Sequence, residues 1–177
     1  MNWIMDRKIF LVLGIVCIIT HVIRTIYEIL KHKKILKADK FTFVVIFINM
    51  IMLWVSWFLL CANDIHKIEL AGFIRYSGIL LFGIGVITFL MGLFTIKTLE
   101  SYEGDLITKG IYSIIRHPMY LGFILWSIGL PIFFGALSSF ILSFILIANI
   151  LFWKYLEEKE LVERFSSYKD YKKKTIF

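Results

Sequence analysis

Residues 120–155 read YLGFILWSIGLPIFFGALSSFILSFILIANILFWKY and contain two apolar runs, Tyr120–Phe134 and Ala136–Tyr155. The runs flank the segment Leu130–Gly135, in which a proline and a glycine break the pattern. Because both residue types disfavour a continued helix, the segment predicts a tight helical hairpin. A helix needs about 20 apolar residues to cross a bilayer, so the first run is short for a span.

Three further apolar runs precede this hairpin, namely Ile9–Leu30, Phe41–Leu60 and Gly72–Phe94. The chain is 59% hydrophobic and 19% charged, with a mean hydropathy of +0.81. A soluble domain of this length could not bury so much apolar surface, which excludes a disordered chain, a secreted disulfide scaffold and a cytosolic enzyme. We therefore predict an all-α integral membrane protein with five transmembrane helices.

The whole chain, residues 1–177, is predicted to form a single membrane domain. Residues 1–95 hold the first three spans. Residues 96–177 hold a connector, the helical hairpin and a cytoplasmic C-terminal helix.

Lysine and arginine residues set the expected orientation, because cytoplasmic loops carry an excess of them. The N-terminus is predicted outside, with the connector from Thr95 to Met119 and the C-terminal tail in the cytoplasm. The net charge of +7 is clustered between apolar runs, which favours the anionic inner leaflet as a partner over nucleic acid. The bases on the cytoplasmic side are Lys31, Lys33, Lys34, Lys37, Lys40, Lys97, Lys109, Arg116, Lys154, Lys159, Arg164, Lys169, Lys172, Lys173 and Lys174.

The third apolar run carries Gly78, Gly85 and Gly92 at heptad spacing, which places them on one helix face. Small residues on one face of a span allow another helix to approach closely. Gly83 and Gly85 resemble the start of a dinucleotide fingerprint, but Thr88 stands where the third glycine is needed and no strand precedes them. A dinucleotide site is therefore not predicted there.

Polar residues gather at the start of the fourth run and beyond the end of the fifth. Arg116–Pro118 opens the fourth run and Tyr120 follows, whereas Glu157 and Glu158 continue the fifth run into the cytoplasm. Each patch also has a structural explanation, as a helix start at the membrane interface or as a solvated helix face. Because a tight hairpin brings these two ends together, His117, Tyr120 and the glutamates are predicted to converge at one membrane-level pocket.

The first run contains three polar residues, His21, Arg24 and Glu28, on one helix face. Charges inside a span are costly and indicate either a pathway or a buried pair. Arg24 and Glu28 are spaced for a local ion pair, and the function of this set is left open.

Metal chemistry is not predicted. His32 and His66 lie in loops, and the chain has no HxxxH or HxxHH spacing. Cys17 and Cys61 lie in or beside apolar runs without CxxC spacing, so we interpret them as small apolar residues.

Three motifs near the C-terminus occur in a characteristic order. The motifs are Thr108-Lys-Gly110-Ile-Tyr112, Arg116-His117-Pro118-Met-Tyr120-Leu-Gly122 and Glu157-Glu158-x-x-Leu161-x-x-x-Phe165, with Tyr168 and Tyr171 after them. This pattern resembles the isoprenylcysteine carboxyl methyltransferase family, and the phospholipid methyltransferases share parts of it. The resemblance covers roughly the last 80 residues.

The resemblance implies a membrane enzyme that uses S-adenosylmethionine at the cytoplasmic face and a lipophilic acceptor that arrives from the bilayer. It implies catalytic residues at His117, Glu158 and Arg164, which would lie near the reacting centre or close the pocket. A carboxylate acceptor needs no general base, whereas a hydroxyl or amine acceptor does. The implied cofactor contacts are Gly104, Asp105, Leu106, Ile107, Tyr112, Arg116, His117, Pro118, Met119, Tyr120 and Glu157.

This sequence departs from the family pattern at two places. Trp153, with Lys154 beside it, stands where the prenylcysteine branch has an arginine associated with the substrate. The tail after Tyr171 is Lys-Lys-Lys-Thr-Ile-Phe, without the valine–proline pair that is usual in relatives. The acceptor is therefore left open between a prenylcysteine-like carboxylate and a lipid or polyketide hydroxyl or amine.

Two other classes of function remain as alternatives. An NAD(P)H-dependent sterol-type reductase has a similar Arg-His-Pro-x-Tyr-x-Gly segment, but such proteins usually carry an acidic residue where this chain has Phe123. A non-enzymatic lipid-binding or scaffold protein would bind no cofactor, with or without His117 and Glu157. A transporter is disfavoured because the sequence shows no inverted repeat. The oligomeric state is left open.

Overall fold

A computed structural model describes residues 3–36, 40–96 and 105–177 of the chain. These residues form helices and no strand apart from two isolated bridges, Lys67–Ala136 and Ile115–Ile176, which confirms the all-α class. The helices are α1 (Trp3–His32), α2 (Lys40–Ala62), α3 (Gly72–Ile96), α4 (Pro118–Phe134), α5 (Leu137–Arg164) and α6 (Tyr168–Lys174), with a short 3-10 turn at Gly110–Ser113.

Four helices, α1, α2, α3 and α5, are long and apolar enough to cross a membrane. The 17-residue α4 is also apolar but shorter, about 26 Å at 1.5 Å per residue. Large apolar side chains point outward all round these helices, among them Phe73, Leu80 and Phe94 at 77%, 63% and 72% exposure. Such a surface is that of a multi-pass membrane protein, because lipid and not water is the solvent that matches it.

Two helices extend beyond the predicted apolar runs. α1 begins at Trp3, and α5 continues past Tyr155 to Arg164. Hydropathy identified only the apolar part of each helix, whereas Lys, Glu, Leu and Arg are themselves good helix formers. The glutamate pair therefore lies on α5 itself.

The turn between α4 and α5 confirms the predicted hairpin. Pro131 lies inside α4, and the helix ends at Phe134 because Gly135 adopts a left-handed φ of 62° that favours glycine. α5 begins two residues later, at Leu137. The Asp64 carboxylate, from the loop after α2, accepts hydrogen bonds from the Ser139 backbone N–H (2.6 Å) and hydroxyl (2.7 Å), which stabilises the start of α5.

α3 and α4 pack antiparallel along a glycine seam, which consists of Gly78 and Gly85 on α3 and Gly122 and Gly129 on α4. A Cβ atom added to Gly85 would lie 2.8 Å from the Gly122 carbonyl oxygen, and one added to Gly78 would lie 2.8 Å from the Gly129 carbonyl oxygen. Further along α3, Gly92 packs on Pro118. The predicted close-approach face of α3 is thus confirmed, and the two backbones touch because no side chain separates them.

An aromatic cluster packs α2 against the α3–α4 pair. The ring of Trp54 lies 5.4 Å from Phe89 and 5.9 Å from Phe123, centroid to centroid, and Phe89 and Phe123 are 5.1 Å apart. Such ring pairs stabilise a core beyond their buried area. The cluster closes the deep end of the cavity described next.

Candidate active site

A cavity of about 180 Å³ lies among the helices at the end where α4 begins and α5 ends, which we call the connector end. Its inner wall is apolar and comes from the spans, mainly Ile46, Met50, Trp54, Phe89 and Phe123. Its outer wall is polar and comes from the connector, the last turns of α5 and the segment around α6. The polar or connector-derived residues of this wall include Asp105, Leu106, Ile107, Tyr112, Arg116, Glu157, Glu160, Arg164, Tyr168 and Tyr171.

The C-terminal residues hold the connector in place beside the cavity. The Arg116 backbone N–H donates to the Ile176 carbonyl at 3.1 Å, and the Ile176 N–H donates to the Ile114 carbonyl at 2.9 Å. The Tyr171 hydroxyl donates to the carbonyl of Tyr112, and the Arg116 guanidinium donates to the carbonyl of Thr175. These contacts fasten residues 112–116, and with them the start of α4, to the end of the chain.

His117 and the glutamate pair meet beside the cavity. The imidazole Nδ1 lies 3.9 Å from a Glu157 carboxylate oxygen, and Nε2 lies 3.5 Å from a Glu158 carboxylate oxygen. Nε2 also lies 3.4 Å from the Tyr168 hydroxyl, and the histidine is only 4% exposed. The structure thus brings together the two polar patches that are 40 residues apart in sequence, as the hairpin predicts.

The two adjacent glutamates have different surroundings. Glu158 faces four nitrogen groups: the Lys172 Nζ at 2.6 Å, the Arg116 Nε at 3.4 Å, the His117 Nε2 at 3.5 Å and the Lys154 Nζ at 3.7 Å. The Glu157 side chain is 41% exposed and lines the cavity. Glu158 therefore forms ion pairs behind the cavity wall, whereas the Glu157 carboxylate is accessible to a ligand in the cavity.

Tyrosines outside the spans remain neutral hydrogen-bonding groups. Burial raises the pKa of the Tyr112 and Tyr168 hydroxyls well above their usual range, and the charges of Glu157 and Glu158 respectively raise it further. Burial also raises the pKa of Tyr171. All three phenols keep their protons at neutral pH.

The predicted site residues fall into three groups in the structure. His117, Pro118 and Glu158 are not part of the cavity lining and lie behind it, while Gly104 falls outside the described residues. Arg164 lines the mouth, where it is exposed and lies over the Phe165 ring at 5.1 Å. The remaining predicted residues line the cavity, namely Asp105, Leu106, Ile107, Tyr112, Arg116, Met119, Tyr120 and Glu157.

The motifs did not predict that α1 contributes to this cavity. Arg24 and Glu28 both line it and form an ion pair with each other. The Arg24 guanidinium lies 6.0 Å from the ring centroid of Trp153, on which His21 also stacks at 5.4 Å. In the sequence, the sign of this contribution is that two charged residues lie within an apolar run. Only the packing of α1 against α5 shows that these residues face the cavity.

Residues 76–163 match the model of the isoprenylcysteine carboxyl methyltransferase family. This segment is similar to that family. The family resemblance inferred from the three motifs is thereby confirmed, over a segment that includes most of α3, the connector, α4 and most of α5.

Three curated relatives match part of the chain. The protein-S-isoprenylcysteine O-methyltransferase of Schizosaccharomyces pombe is 37% identical over 76 residues, which cover 39% of this chain and 30% of the relative. The protein of the same name from Saccharomyces cerevisiae is 39% identical over 87 residues, 45% of this chain and 34% of the relative. Protein-S-isoprenylcysteine O-methyltransferase B of Arabidopsis thaliana is 47% identical over 34 residues, 19% of this chain and 17% of the relative.

The chain spans about a third or less of the length of these curated relatives. No solved structure matches it significantly.

Proposed function

We propose that this chain is an integral membrane methyltransferase that uses S-adenosylmethionine to methylate a lipophilic acceptor. The observation that carries the proposal is a single cavity with two kinds of wall. Its polar wall includes Glu157 and the connector residues, and its apolar wall includes Met50 and Trp54 inside the spans. One cavity can thus hold a charged nucleoside cofactor and the end of a lipid-soluble molecule side by side.

The polar wall has the groups that the cofactor needs. The exposed face of the Glu157 carboxylate can accept hydrogen bonds from the cofactor's ammonium group or ribose hydroxyls. The Arg116 guanidinium is held by Thr175 and Glu158, so Arg164 at the mouth is the better partner for the cofactor's carboxylate. The backbone of residues 105–107 borders the same space and can pair with the adenine edge.

When bound, the cofactor supplies a methyl group on a positively charged sulfur. The Tyr112 and Tyr120 side chains line the cavity and can turn a ring face toward such a charge, a contact worth about 0.5–2 kcal/mol. Direct displacement depends on alignment and on the exclusion of water, and Tyr168 and Tyr171 from α6 help to wall the cavity off.

His117 and Glu158 act as positioning residues in this proposal. His117 directly precedes α4 and contacts both glutamates near the end of α5. These contacts fix the distance between Tyr120 on α4 and Glu157 on α5, which both line the cavity. His117 and Glu158 thus set the separation of α4 and α5 at the cavity without lining it themselves.

The acceptor that suits this cavity is a carboxylate with a long apolar chain. A carboxylate is already an anionic nucleophile and needs no general base, which fits a site in which no histidine is found among the described residues that line the cavity. The matched relatives are named for an S-isoprenylcysteine substrate, and a prenyl chain suits the aromatic wall of Trp54, Phe89 and Phe123.

In the bilayer, the proposed arrangement has five crossings with the N-terminus outside. The 17-residue α4 is the shortest crossing, and the connector end lies at the inner leaflet. The basic residues of α6, Lys172–Lys174, then face anionic lipid headgroups.

The proposal is tested by methyl transfer with the purified full chain in lipid nanodiscs. Incubation with methyl-tritiated S-adenosylmethionine and N-acetyl-S-farnesylcysteine is expected to yield a base-labile tritiated ester, and N-acetylcysteine without the prenyl chain is expected to yield none. Glu157→Gln should slow the reaction, whereas Glu163→Gln, an exposed position on the same helix outside the cavity lining, should not. Folded protein that labels neither acceptor would contradict the proposal.

A further inference from the structure

A second, smaller cavity adjoins the aromatic cluster that closes the deep end of the first. It measures about 10 Å³, against about 180 Å³ for the cavity at the connector end. Met50, Trp54 and Phe123 line both cavities, so a single layer of side chains separates the two spaces. A space of about 10 Å³ is that of one water molecule, which is too small for the end of an apolar chain. For an apolar ligand, the first cavity therefore ends at this layer.

The Trp54 indole is held in the layer by three other rings. Its centroid lies 5.4 Å from that of Phe89 on α3, 5.4 Å from Trp126 and 5.9 Å from Phe123 on α4. Phe89 and Phe123 stack on each other at 5.1 Å, and they belong to the two helices whose backbones touch along the glycine seam. Close-packed rings beside touching backbones have little space in which to rotate. We therefore expect Trp54 to stay in place when a ligand fills the first cavity.

The apolar wall of the first cavity follows one face of α2, which we call the α2 stripe. The stripe consists of Phe43, Ile46, Phe47, Met50 and Trp54, all of which line the cavity. They recur at intervals of three and four residues, which places them on one helix face. From Phe43 to Trp54 the stripe is eleven residues long, about 16 Å along the helix axis. A chain that lies along the stripe from the connector end meets the Trp54 indole at its far end.

We propose that Trp54 is a specificity-determining residue, which limits the length of the chain that a methyl acceptor can carry. The inference rests on the proposed function, because it requires the chain of a lipophilic acceptor to lie along the α2 stripe. An extended farnesyl chain is about as long as the stripe, whereas a geranylgeranyl chain is longer by one isoprene unit. The end of the longer chain meets the indole while its polar group is still displaced from the polar wall, and the alignment needed for methyl transfer is lost.

The test is methyl transfer by the full chain in lipid nanodiscs with three acceptors that differ only in chain length. The acceptors are N-acetylcysteine thioethers of geraniol, farnesol and geranylgeraniol. For the wild-type chain, we expect kcat/KM to be at least about tenfold higher for the farnesyl than for the geranylgeranyl acceptor, since misalignment and a poorly fitting chain each have effects of this size. The geranyl acceptor should also be poorer than the farnesyl one, because it leaves part of the stripe uncovered.

Trp54→Ala removes the indole and joins the two cavities, so the geranylgeranyl acceptor should become at least as good as the farnesyl acceptor. A wild-type chain that does not distinguish these two acceptors would overturn the inference. A Trp54→Ala variant that keeps the wild-type ratio would overturn it as well.

Trp126→Ala is the matched control, because it removes the same kind of side chain from the same ring cluster. Trp126 lines the second cavity but not the first, so its loss enlarges the space behind Trp54 and leaves the indole of Trp54 in place. This variant should keep the wild-type ratio of the two acceptors. If Trp126→Ala accepts the geranylgeranyl chain as well as Trp54→Ala does, loose packing and not Trp54 sets the limit, and the inference is wrong.

A second variant keeps the test decisive if Trp54→Ala does not fold. Trp54→Leu keeps an apolar side chain in the core and still frees part of the space of the indole. It should lower the preference for the farnesyl over the geranylgeranyl acceptor, and an unchanged preference would overturn the inference. General damage to the site would lower kcat/KM for all three acceptors together and leave their ratios at the wild-type values, which also counts against it.

Binding without cofactor separates this inference from the proposed function. The farnesyl and geranylgeranyl thioethers are titrated calorimetrically into the full chain in detergent, and the ratio of their dissociation constants is compared between wild type and Trp54→Ala. Partition of the ligands into micelles is the same for both proteins and cancels in this comparison. A Trp54-dependent ratio in a chain that transfers no methyl group would support the length limit and contradict the proposed function. Methyl transfer with the same ratio in both proteins would support the proposed function and contradict the length limit.

Discussion

The glycine seam and the cavity are the two places where α4 meets its neighbours, and they are built in opposite ways. Along the seam, Gly85 and Gly122 let two backbones touch, and no space remains. Around the cavity, Tyr120 and Phe123 of the same helix line open space. One face of α4 therefore packs tightly against α3, whereas the other face lines a cavity that a ligand can enter.

The rigid face determines what the open face presents. Because the seam fixes the rotation of α4, Met119, Tyr120 and Phe123 can only point toward the cavity. The hairpin turn at Gly135 then sets the position of α5 and of Glu157. A site at one end of the bundle thus depends on packing that runs along its whole length.

The largest effect is expected from a side chain placed in the seam. In Gly85→Leu the first added carbon alone meets the Gly122 carbonyl at 2.8 Å, so we expect loss of the folded protein in gel filtration and thermal unfolding. Gly83→Leu is the matched control on the same helix, because a Cβ there has nothing within 4 Å. Its unfolding free energy should stay within about 1 kcal/mol of the wild type. Equal unfolding free energies of the two variants would contradict the role of the seam in holding α3 against α4.

The next largest effect is expected on the open side of the comparison, at Glu157. Glu157→Gln removes the charge of a cavity-lining carboxylate, and a hydrogen bond to a charged group contributes about 1.5–3 kcal/mol. The dissociation constant of S-adenosylmethionine should therefore rise about tenfold to a hundredfold, measured by calorimetry, with an unchanged melting temperature. An unchanged affinity would show that Glu157 does not contact the cofactor.

Glu158→Gln should show the reverse pattern, because this carboxylate lies behind the wall. Its loss leaves Arg116, Lys154 and Lys172 close together without their shared partner. Breaking a fully buried pair costs about 3–5 kcal/mol, and we expect about 1–2 kcal/mol here because the Glu158 side chain is 15% exposed. Chemical unfolding in micelles measures this cost. A stability equal to that of Glu157→Gln would contradict the different roles given to the two glutamates.

The smallest effect is expected from Tyr168→Phe, which removes the hydroxyl that lies 3.4 Å from the His117 imidazole. The loss should be about 0.5–1 kcal/mol of unfolding free energy. Burial and the Glu158 charge raise the pKa of Tyr168, so the hydroxyl stays protonated in the folded chain while it ionises near pH 10 in the unfolded chain. The difference between variant and wild type should therefore be constant from pH 7 to 9, and the contribution of Tyr168 to stability should fall only above about pH 10. If the difference in unfolding free energy between Tyr168→Phe and the wild type changes between pH 7 and 9, Tyr168 does not stay protonated as expected.

The sequence alone predicted the close-approach face of α3 and the convergence of the two polar patches for local reasons. Heptad spacing puts Gly78 and Gly85 on one face whatever the rest of the chain does, and a short turn forces the ends of its two helices together. The helical continuation of α5 beyond Tyr155, which carries the glutamate pair, was also predicted and is confirmed, since the helix extends to Arg164.

The part played by α1 could not be predicted in this way. Periodicity places Arg24 and Glu28 on one face of α1, but it does not say which neighbour that face meets. Only the packing of α1 on α5, with Arg24 over Trp153, brings the pair into the cavity. The assignment of Glu157 and Glu158 to opposite sides of the wall likewise depends on the rotation of α5, which adjacent identical residues cannot reveal.

We propose that the cavity at the connector end binds a nucleoside cofactor through groups on α4, α5 and the connector. Calorimetric titration of the folded wild-type chain with S-adenosylmethionine tests it most directly. We expect saturable binding of one molecule per chain, weakened at least tenfold by Glu157→Gln and unchanged by Glu163→Gln. Folded protein that takes up no S-adenosylmethionine, or that binds it equally well in all three forms, would contradict the claim.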